Sequence, residues 1–263
     1  MANVVFVTGA SAGIGRRCAD RLAAAGWTVV GGSRRGTGSD TWEPVAVDVD
    51  SDDSVAAAVT GVRSAHGRLD AAVLAAGWGL AGPVEMTPID QAKAQLETNF
   101  WGVVRSVQAA LPVMREQGGG RIVILSSLGG LIGIPFQAFY SASKFALEGY
   151  AEALAYEVAP YGVHVTLVEP GNVKTDFTGS RRKLTDLGPY ADATDHAVEV
   201  MERDEINGAD PAGVAKAVER VLTAKRPPRR VTVGKSGERL GAVAKRLLPH
   251  RVFEKAASGA LGA

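Results

Sequence analysis

Short apolar runs alternate with helical patterns about six times along this chain, and this alternation constrains the fold more than any other feature. Neighbouring parallel strands need a crossover connection of about a dozen or more residues, which is usually a helix. The pattern therefore predicts an α/β fold with a doubly wound parallel sheet of about seven strands and helices on both faces. The predicted strands are residues 3–8, 27–32, 44–47, 70–75, 122–125, 163–169 and 230–233.

Length and charge exclude several other classes of protein. With 263 residues and 46% hydrophobic content, we expect a single domain over residues 1–263. A net charge of +1 gives no reason to expect a nucleic-acid partner. Cys18 is the one cysteine, so no internal disulfide can form, and its place in a helical pattern favours an apolar filler over a reactive thiol. No apolar run approaches the roughly 18 residues of a membrane span, and residue 3 already begins a strand, so we expect a cytoplasmic protein.

The segment 121–154 carries the strongest chemical signal. It passes from a strand through a serine pair and a glycine-rich turn into a helix that contains Tyr140 and Lys144. Residues four apart share a helix face, so the ammonium is expected to lower the pKa of the phenol and make it a usable proton donor. Such a pair also arises by chance, but Ser127 follows a strand end, where active-site hydroxyls of parallel sheets emerge.

A glycine-rich turn, TGASAGIG, follows the first predicted strand at residues 8–15. Gly9, Gly13 and Gly15 would let the backbone approach a ligand closely, and the helix over residues 14–25 would direct its N–H groups and positive dipole end at a phosphate. A tight turn without a ligand is the alternative. The position at the first strand-to-helix junction favours a dinucleotide site.

Ser33, Arg34 and Arg35 stand at the tip of the second predicted strand. In a dinucleotide-binding fold an acidic residue here would bind the adenosine ribose of NAD and repel a 2′-phosphate. Ser33 removes that repulsion, and Arg34 can form charge-assisted bonds to a phosphate, so we expect NADP(H) to be preferred over NAD(H). The alternative is that the arginines form a solvated surface.

Three further segments bear on function. Asn99 interrupts the helical pattern of residues 89–114, where a structural bend and a catalytic role are equally compatible with the sequence. Residues 176–210 show no strand pattern and are expected to form a substrate lid. Residues 225–255 hold ten Lys or Arg against two Glu. We expect a basic C-terminal extension over about residues 235–263. We interpret this run as a solvated helix face, with contact to an anionic surface or membrane as the less favoured alternative.

Taken together, these motifs resemble the short-chain dehydrogenase/reductases whose nucleotide loop reads TGxxxGxG, and the similarity covers nearly the whole chain. TGASAGIG, Asp48-Val49, Asn99-x-x-Gly102, Ser127, Tyr140-x-x-x-Lys144 and Pro170-Gly171 with Thr175 occur in that family's order and spacing. Residues 126–152 look most like the reductases of steroid and retinoid carbonyls. The resemblance implies a Rossmann-type fold and a homodimer or homotetramer.

The same resemblance implies roles for individual residues. Tyr140 would be the general acid, Ser127 would bind the substrate oxygen, Lys144 would hold the nicotinamide ribose, and Asn99 would anchor a water that links Lys144 to solvent. No metal is implied. One departure is Ala75-Ala76-Gly77, where the family usually has Asn-Ala-Gly. The implied cofactor contacts are Gly9, Ser11, Gly13, Ile14, Gly15, Ser33, Arg34, Asp48, Val49, Gly77, Tyr140, Lys144, Pro170, Gly171, Val173 and Thr175.

The expected function is NADP(H)-dependent interconversion of a carbonyl and an alcohol on an apolar substrate. A catalytically weak, cofactor-binding regulator is the alternative, although such a protein has little need for the complete Tyr–Lys–Ser–Asn set. The preference for an apolar substrate rests on hydrophobic residues near the turns that would border the pocket. The alternative is that most of these residues only pack at the rim of the core. These residues are Trp78, Leu80, Leu131, Ile134, Phe136, Phe139 and Phe177.

Overall fold

A computed structural model describes residues 2–249, 251–253 and 255. Its strands are β1 (Val4–Thr8), β2 (Thr28–Ser33), β3 (Glu43–Ala46), β4 (Ala71–Leu74), β5 (Leu80–Ala81), β6 (Gly120–Leu125), β7 (Val163–Pro170), β8 (Arg182–Lys183) and β9 (Arg230–Val233). Its helices are α1 (Gly13–Ala24), α2 (Asp52–His66), α3 (Ile89–Leu96), α4 (Gly102–Glu116), α5 (Ala138–Glu157), α6 (Phe177–Ser180), α7 (Ala191–Ile206), α8 (Pro211–Thr223) and α9 (Ser236–Leu247).

The main sheet has seven strands in the order β3-β2-β1-β4-β6-β7-β9, and every neighbouring pair is parallel. This confirms the predicted doubly wound parallel sheet in a single domain. The expectation that residues 176–210 contain no strand is wrong, because β8 lies in this segment and pairs with β5 in a separate two-stranded sheet. Two strands of two residues each are too short to produce a periodic pattern.

Two apolar cores flank the main sheet, because successive strand residues point to opposite faces. In β1, Val4 and Phe6 pack with α2, α4 and α5, whereas Val5 and Val7 pack with α1 and α8. Cys18 is fully buried in the second core, where burial raises the pKa of its thiol to about 12, as expected of an apolar filler. None of the helices in the described ranges is long and apolar enough to cross a bilayer.

The helical segment around Asn99 is interrupted as the sequence suggested. Residues Glu97–Trp101 form a turn of π-helix between α3 and α4, with Asn99 at its centre and fully buried. A π-turn places one extra residue in the helical circuit and so redirects its side chains. The turn points the Asn99 amide towards the loop after β4.

A cluster of acidic side chains fastens the edge strand β9 to α5. The Arg230 guanidinium pairs with Glu148 at 3.1 Å and with Glu152 at 2.9 Å, and it lies 3.6 Å from Glu169. The Glu148 and Glu169 side chains are only 9% and 2% exposed, so Arg230 supplies the charge that balances two buried carboxylates.

Replacing Arg230 by Met should therefore destabilise the protein by about 2–4 kcal/mol, since removing one partner leaves buried charges unpaired. Urea unfolding of both proteins measures this difference. Arg226, an exposed residue in the turn before β9, provides the control, and Arg226→Met should change stability by less than about 0.5 kcal/mol. Equal losses in the two variants would contradict a specific role for Arg230.

Candidate active site

A large cavity lies at the carboxyl edge of the parallel sheet. Its volume is about 920 Å³, and the residues that follow β1, β4, β6 and β7 all contribute to its wall. All sixteen predicted cofactor contacts line this cavity, together with Ser127. Of the predicted site residues only Asn99 stands outside the wall, buried behind it.

The glycine loop forms the floor of one half of the cavity. Gly9 has a φ of +69°, and a Cβ atom there would lie 2.8 Å from the backbone nitrogen of Ala76. A Cβ on Gly15 would lie 2.3 Å from the carbonyl oxygen of Gly9. Both positions therefore require glycine. Ala12 precedes α1 and has no side chain that could accept hydrogen bonds from the first helical N–H groups, which are left to bind a phosphate.

The glycine loop and the end of β2 together form a cradle along the cavity wall. The hydroxyl oxygen of Ser33 is buried and has no hydrogen-bond partner in the described part of the chain, and the neighbouring Arg34 is exposed at the cavity wall. A buried hydroxyl without a partner is costly unless a ligand completes it. The glycine loop, the start of α1 and this hydroxyl together fit a dinucleotide.

The loop after β4 is held without the asparagine that the family usually has there. The Thr8 hydroxyl accepts hydrogen bonds from the backbone nitrogens of Ala75 at 3.1 Å and Ala76 at 3.3 Å. Thr8 is itself buried at the end of β1. One hydroxyl thus fixes the loop against the glycine turn, and the alanine at position 75 leaves this contact intact.

Tyr140 and Ser127 bring two hydroxyls together at the cavity wall. Burial is the largest effect on the pKa of Tyr140 and raises it, while hydrogen bonding to the Ser127 hydroxyl acts in the opposite direction and lowers it. The nearby Glu205 carboxylate raises it further, and Arg181 opposes that effect. The expectation that Lys144 lowers the pKa of Tyr140 is therefore wrong, because desolvation decides the direction and Lys144 is not among the groups that shift this pKa. Tyr140 is a neutral phenol, which is the form that can donate a proton.

Lys144 is buried one helical turn after Tyr140. Its ammonium nitrogen lies 5.8 Å from the Tyr140 ring centroid and donates a hydrogen bond to the carbonyl oxygen of Leu125 at 2.8 Å. Burial lowers the pKa of Lys144 from 10.5 to about 8, although the Glu148 carboxylate partly opposes this shift. The sequence placed the two residues on one helix face, but the carbonyl of β6 holds the amine away from the phenol.

Asn99 supports the site from behind the wall. Its amide exchanges two hydrogen bonds of 3.0 Å with the backbone of Trp78 and donates a third to the Ser143 hydroxyl at 3.2 Å. A Cβ on Gly77 would lie 3.1 Å from the Asn99 oxygen and 3.9 Å from the Lys144 nitrogen. Gly77 thus keeps open a small space that both polar side chains border.

The apolar end of the cavity differs in part from the expected lining. Trp78, Ile134 and Phe177 line it as predicted. The other four predicted residues are absent from the wall, and Leu80 is instead 3% exposed in β5; these four are Leu80, Leu131, Phe136 and Phe139. Sequence reasoning missed two parts of the wall, one from α7 and one from the C-terminal segment, and these contribute Met201, Asp204, Glu205, Gly237, Glu238, Gly241, Ala244, Leu248 and Phe253.

Residues 176–210, the segment expected to form a lid, contribute to the cavity wall and are fastened at two points. The Arg182 guanidinium lies 4.1 Å from the Trp78 ring centroid, beside the β5–β8 pair. Arg181 is fully buried, pairs with Glu205 of α7, and lies 5.7 Å from the ring of Phe177. The Phe177 ring in turn contacts the Tyr140 ring at 5.9 Å between centroids. The lid therefore reaches directly to the paired hydroxyls.

Comparison with known proteins identifies relatives of this chain. The sequence model of the short chain dehydrogenase family matches residues 3–185. A 3-ketodihydrosphingosine reductase from Bacteroides thetaiotaomicron is 39% identical over 257 residues, which cover 96% of each chain. Human retinol dehydrogenase 8 is 34% identical over 251 residues, which cover 86% of this chain and 79% of that protein.

Solved structures agree with these sequence matches. The crystal structure of a short-chain dehydrogenase from Streptomyces avermitilis superposes with a TM-score of 0.85 at 31% identity, covering 98% of this chain and 96% of the other. Enzymes of this family use a nicotinamide dinucleotide. The cradle formed by the glycine loop and Ser33 fits that group, as its geometry had indicated.

The lowered pKa of Lys144 predicts how stability depends on pH. Between about pH 8 and 10.5 the unfolded chain holds more protons at this residue than the folded chain, so the stability of the wild type rises with pH. Relative to Lys144→Met, the wild type should gain on the order of 3 kcal/mol across this window. Urea unfolding at several pH values measures the difference. The same substitution at exposed Lys93 is the control, and a flat difference between wild type and Lys144→Met would refute the shift.

Proposed function

This chain belongs to the short-chain dehydrogenase family, and we propose that it is an NADPH-dependent reductase of apolar carbonyl compounds with Tyr140 as the proton donor. One observation carries the proposal: Tyr140 and Ser127 lie side by side in the cavity wall, where a Cβ on Gly129 would meet the Tyr140 ring at 3.1 Å and the Ser127 hydroxyl at 3.4 Å, and a glycine loop suited to phosphate lines the same cavity. Paired hydroxyls facing the cofactor half of a cavity favour an enzyme over a cofactor-binding regulator.

The two hydroxyls suit a carbonyl oxygen that becomes negative during reduction. A bound nicotinamide dinucleotide would supply the hydride. Tyr140, kept neutral by burial, gives its proton to that oxygen, while the Ser127 hydroxyl donates a hydrogen bond to it. Proton transfer from a positioned donor contributes a factor of about 10²–10⁴ to the rate. The proposed roles of the two residues thus follow from their shared position at the wall.

Lys144 and Asn99 support the donor in this proposal. The Lys144 amine lies within the buried interior, where it can bind ribose hydroxyls of the dinucleotide and help to restore the Tyr140 proton. Asn99 borders the same small space beside Gly77, which suits the water that would link Lys144 to solvent. The π-turn fixes Asn99 in this orientation. A substitution of Asn99 would therefore slow the return of a proton to Tyr140.

The substrate is proposed to be a long-chain or polycyclic carbonyl compound. The cavity wall away from the glycine loop contains Ile134, Phe177, Met201, Leu248 and Phe253. A relative that matches 96% of this chain is a reductase of 3-ketodihydrosphingosine, and this compound is the first to test. Oxidation of NADPH with a panel of ketones and aldehydes, followed by nicotinamide absorbance, measures the preference.

Preference for NADPH follows from the end of β2. Ser33 presents an unpartnered buried hydroxyl where an acidic residue would repel a 2′-phosphate, and the exposed Arg34 guanidinium stands next to it. A guanidinium can bind a phosphate through two parallel hydrogen bonds. Both features support NADPH over NADH.

A homodimer or homotetramer is also proposed. The segment of the π-turn and α5 exposes aromatic rings that a monomer would leave in water: Trp101 is 48% exposed, Phe145 is 43% exposed and Tyr156 is 67% exposed. Aromatic side chains are enriched at protein interfaces. This surface suits association through the helices that follow β4 and β6.

Tyr140→Phe should lower kcat for carbonyl reduction by about 10²-fold or more, because the variant lacks the proton donor. NADPH should still bind within a few-fold of wild-type affinity, since the aromatic ring is kept. Steady-state kinetics and a fluorescence titration with NADPH measure the two effects. Tyr156→Phe on the exposed face of α5 is the matched control. Turnover that survives in Tyr140→Phe would exclude this residue as the acid.

Arg34→Ala should weaken NADPH binding by about tenfold or more and leave NADH binding unchanged, because only NADPH carries the 2′-phosphate. Titration of both cofactors gives the ratio of affinities for each protein. Arg35→Ala, at the adjacent exposed arginine, serves as the control and should alter the ratio far less. An unchanged ratio in Arg34→Ala would rule out the phosphate contact.

A further inference from the structure

Helix α9 exposes apolar side chains that a surface helix usually buries. Its large aliphatic side chains face outward: Leu240 is 67% exposed, Val243 is 52% exposed and Leu247 is 77% exposed. Spacings of three and four residues place these three in one stripe. Helices of a water-soluble domain normally bury such a stripe, and exposed apolar patches mark interaction sites.

A neighbouring side of α9 faces the cavity through small residues. Gly237, Gly241 and Ala244 contribute to the cavity wall. The Glu238 carboxylate accepts hydrogen bonds from the backbone nitrogens of Asn172 at 3.0 Å and Lys235 at 2.8 Å. Glu238 therefore ties the helix to the segment after β7. The aliphatic stripe is fixed beside the cavity and cannot turn inward without breaking these bonds.

Positive charge accompanies the stripe. Residues 235–255 hold six Lys or Arg against two Glu, a net charge of +4, whereas the rest of the chain holds 23 against 26, a net of −3. Lys235, Arg239 and Arg251 are exposed. Of the two acids, Glu238 is turned to the backbone behind the helix. The surface around α9 is thus both apolar and cationic.

We propose that α9 is a membrane-docking helix, which holds the protein at the surface of an anionic lipid bilayer. Aliphatic side chains flanked by Lys and Arg are what an interfacial helix needs, since the apolar residues enter the acyl boundary and the cations meet lipid phosphates. On sequence alone we favoured a solvated basic face for this run. The exposure of Leu240, Val243 and Leu247 is the structural observation that changes this interpretation.

A second copy of the chain fits this surface less well than a bilayer does. A twofold interface through the stripe would bring together two copies of the same positively charged segment, and like charges at an interface oppose association. The exposed aromatic residues of the π-turn and α5 offer a separate surface for self-association. Docking through α9 would place the wall of the cavity at the bilayer. If the proposed function is correct, an apolar carbonyl compound could then enter without crossing bulk water.

Sedimentation with lipid vesicles tests the docking without any turnover. Vesicles of phosphatidylcholine alone are compared with vesicles that also contain phosphatidylglycerol, at low and high salt. The full-length wild type should bind the anionic vesicles and dissociate at high salt. The double variant Leu240→Ser, Leu247→Ser should bind them roughly tenfold more weakly. Ile89→Ser is the matched control, because Ile89 at the start of α3 is 66% exposed and should not affect binding.

A second variant separates charge from apolar burial. Arg239→Gln with Arg251→Gln should remove most of the preference for anionic vesicles while it leaves the aliphatic stripe intact. Wild-type protein that binds neither kind of vesicle, or an effect of Ile89→Ser equal to that of the leucine variant, would overturn the proposal. It would also be overturned if light scattering showed an oligomer that dissociates in the leucine variant, since the stripe would then be covered by a second copy. If the wild type binds anionic vesicles as predicted but reduces no apolar carbonyl compound, the proposed function would be refuted and the docking proposal would stand.

Discussion

The parallel pairing of β1, β4, β6 and β7 is the constraint on which the rest of this structure depends. Parallel strands end at the same edge of the sheet, so Gly9, Ala75, Ser126 and Gly171 meet there although they are distant in sequence. That edge carries the glycine loop on one side and the paired hydroxyls on the other. A cofactor bound on the loop and a substrate bound at the hydroxyls would therefore share one cavity.

Removal from water sets the charge state of the central side chains. Burial raises the pKa of Tyr140 and lowers the pKa of Lys144 to about 8, so desolvation favours the neutral form of both. A neutral phenol is suited to give a proton to a developing alkoxide. An amine whose pKa lies near neutral pH is suited to pass protons onward. In this account the interior supplies the acid–base chemistry, while the dinucleotide supplies the hydride.

Several features could be predicted from the sequence because their spacing has a direct geometric meaning. The glycine loop, the Tyr140–Lys144 turn and the break at Asn99 are local patterns, and each was found where expected. Features that depend on contacts between distant segments could not be predicted from such local patterns. The direction of the Tyr140 pKa shift depends on burial, and β5 and β8 are two residues each. Gly237 and Gly241 line the cavity only because α9 folds back over it, a contact that no local pattern encodes.

Residues 176–210 and α9 both line the cavity, and both bring residues that have no counterpart in the motifs of the nucleotide half. The account as a whole requires that a hydride pass from the cofactor to a carbonyl carbon in this enclosed space. Reduction of 3-ketodihydrosphingosine by NADPH that carries deuterium at the transferable position of the nicotinamide tests this most directly, with the product analysed by mass spectrometry. We predict one deuterium on the carbinol carbon. An alcohol product without deuterium, or a protein that binds NADPH yet reduces neither this ketone nor any apolar carbonyl compound in a panel, would contradict the account.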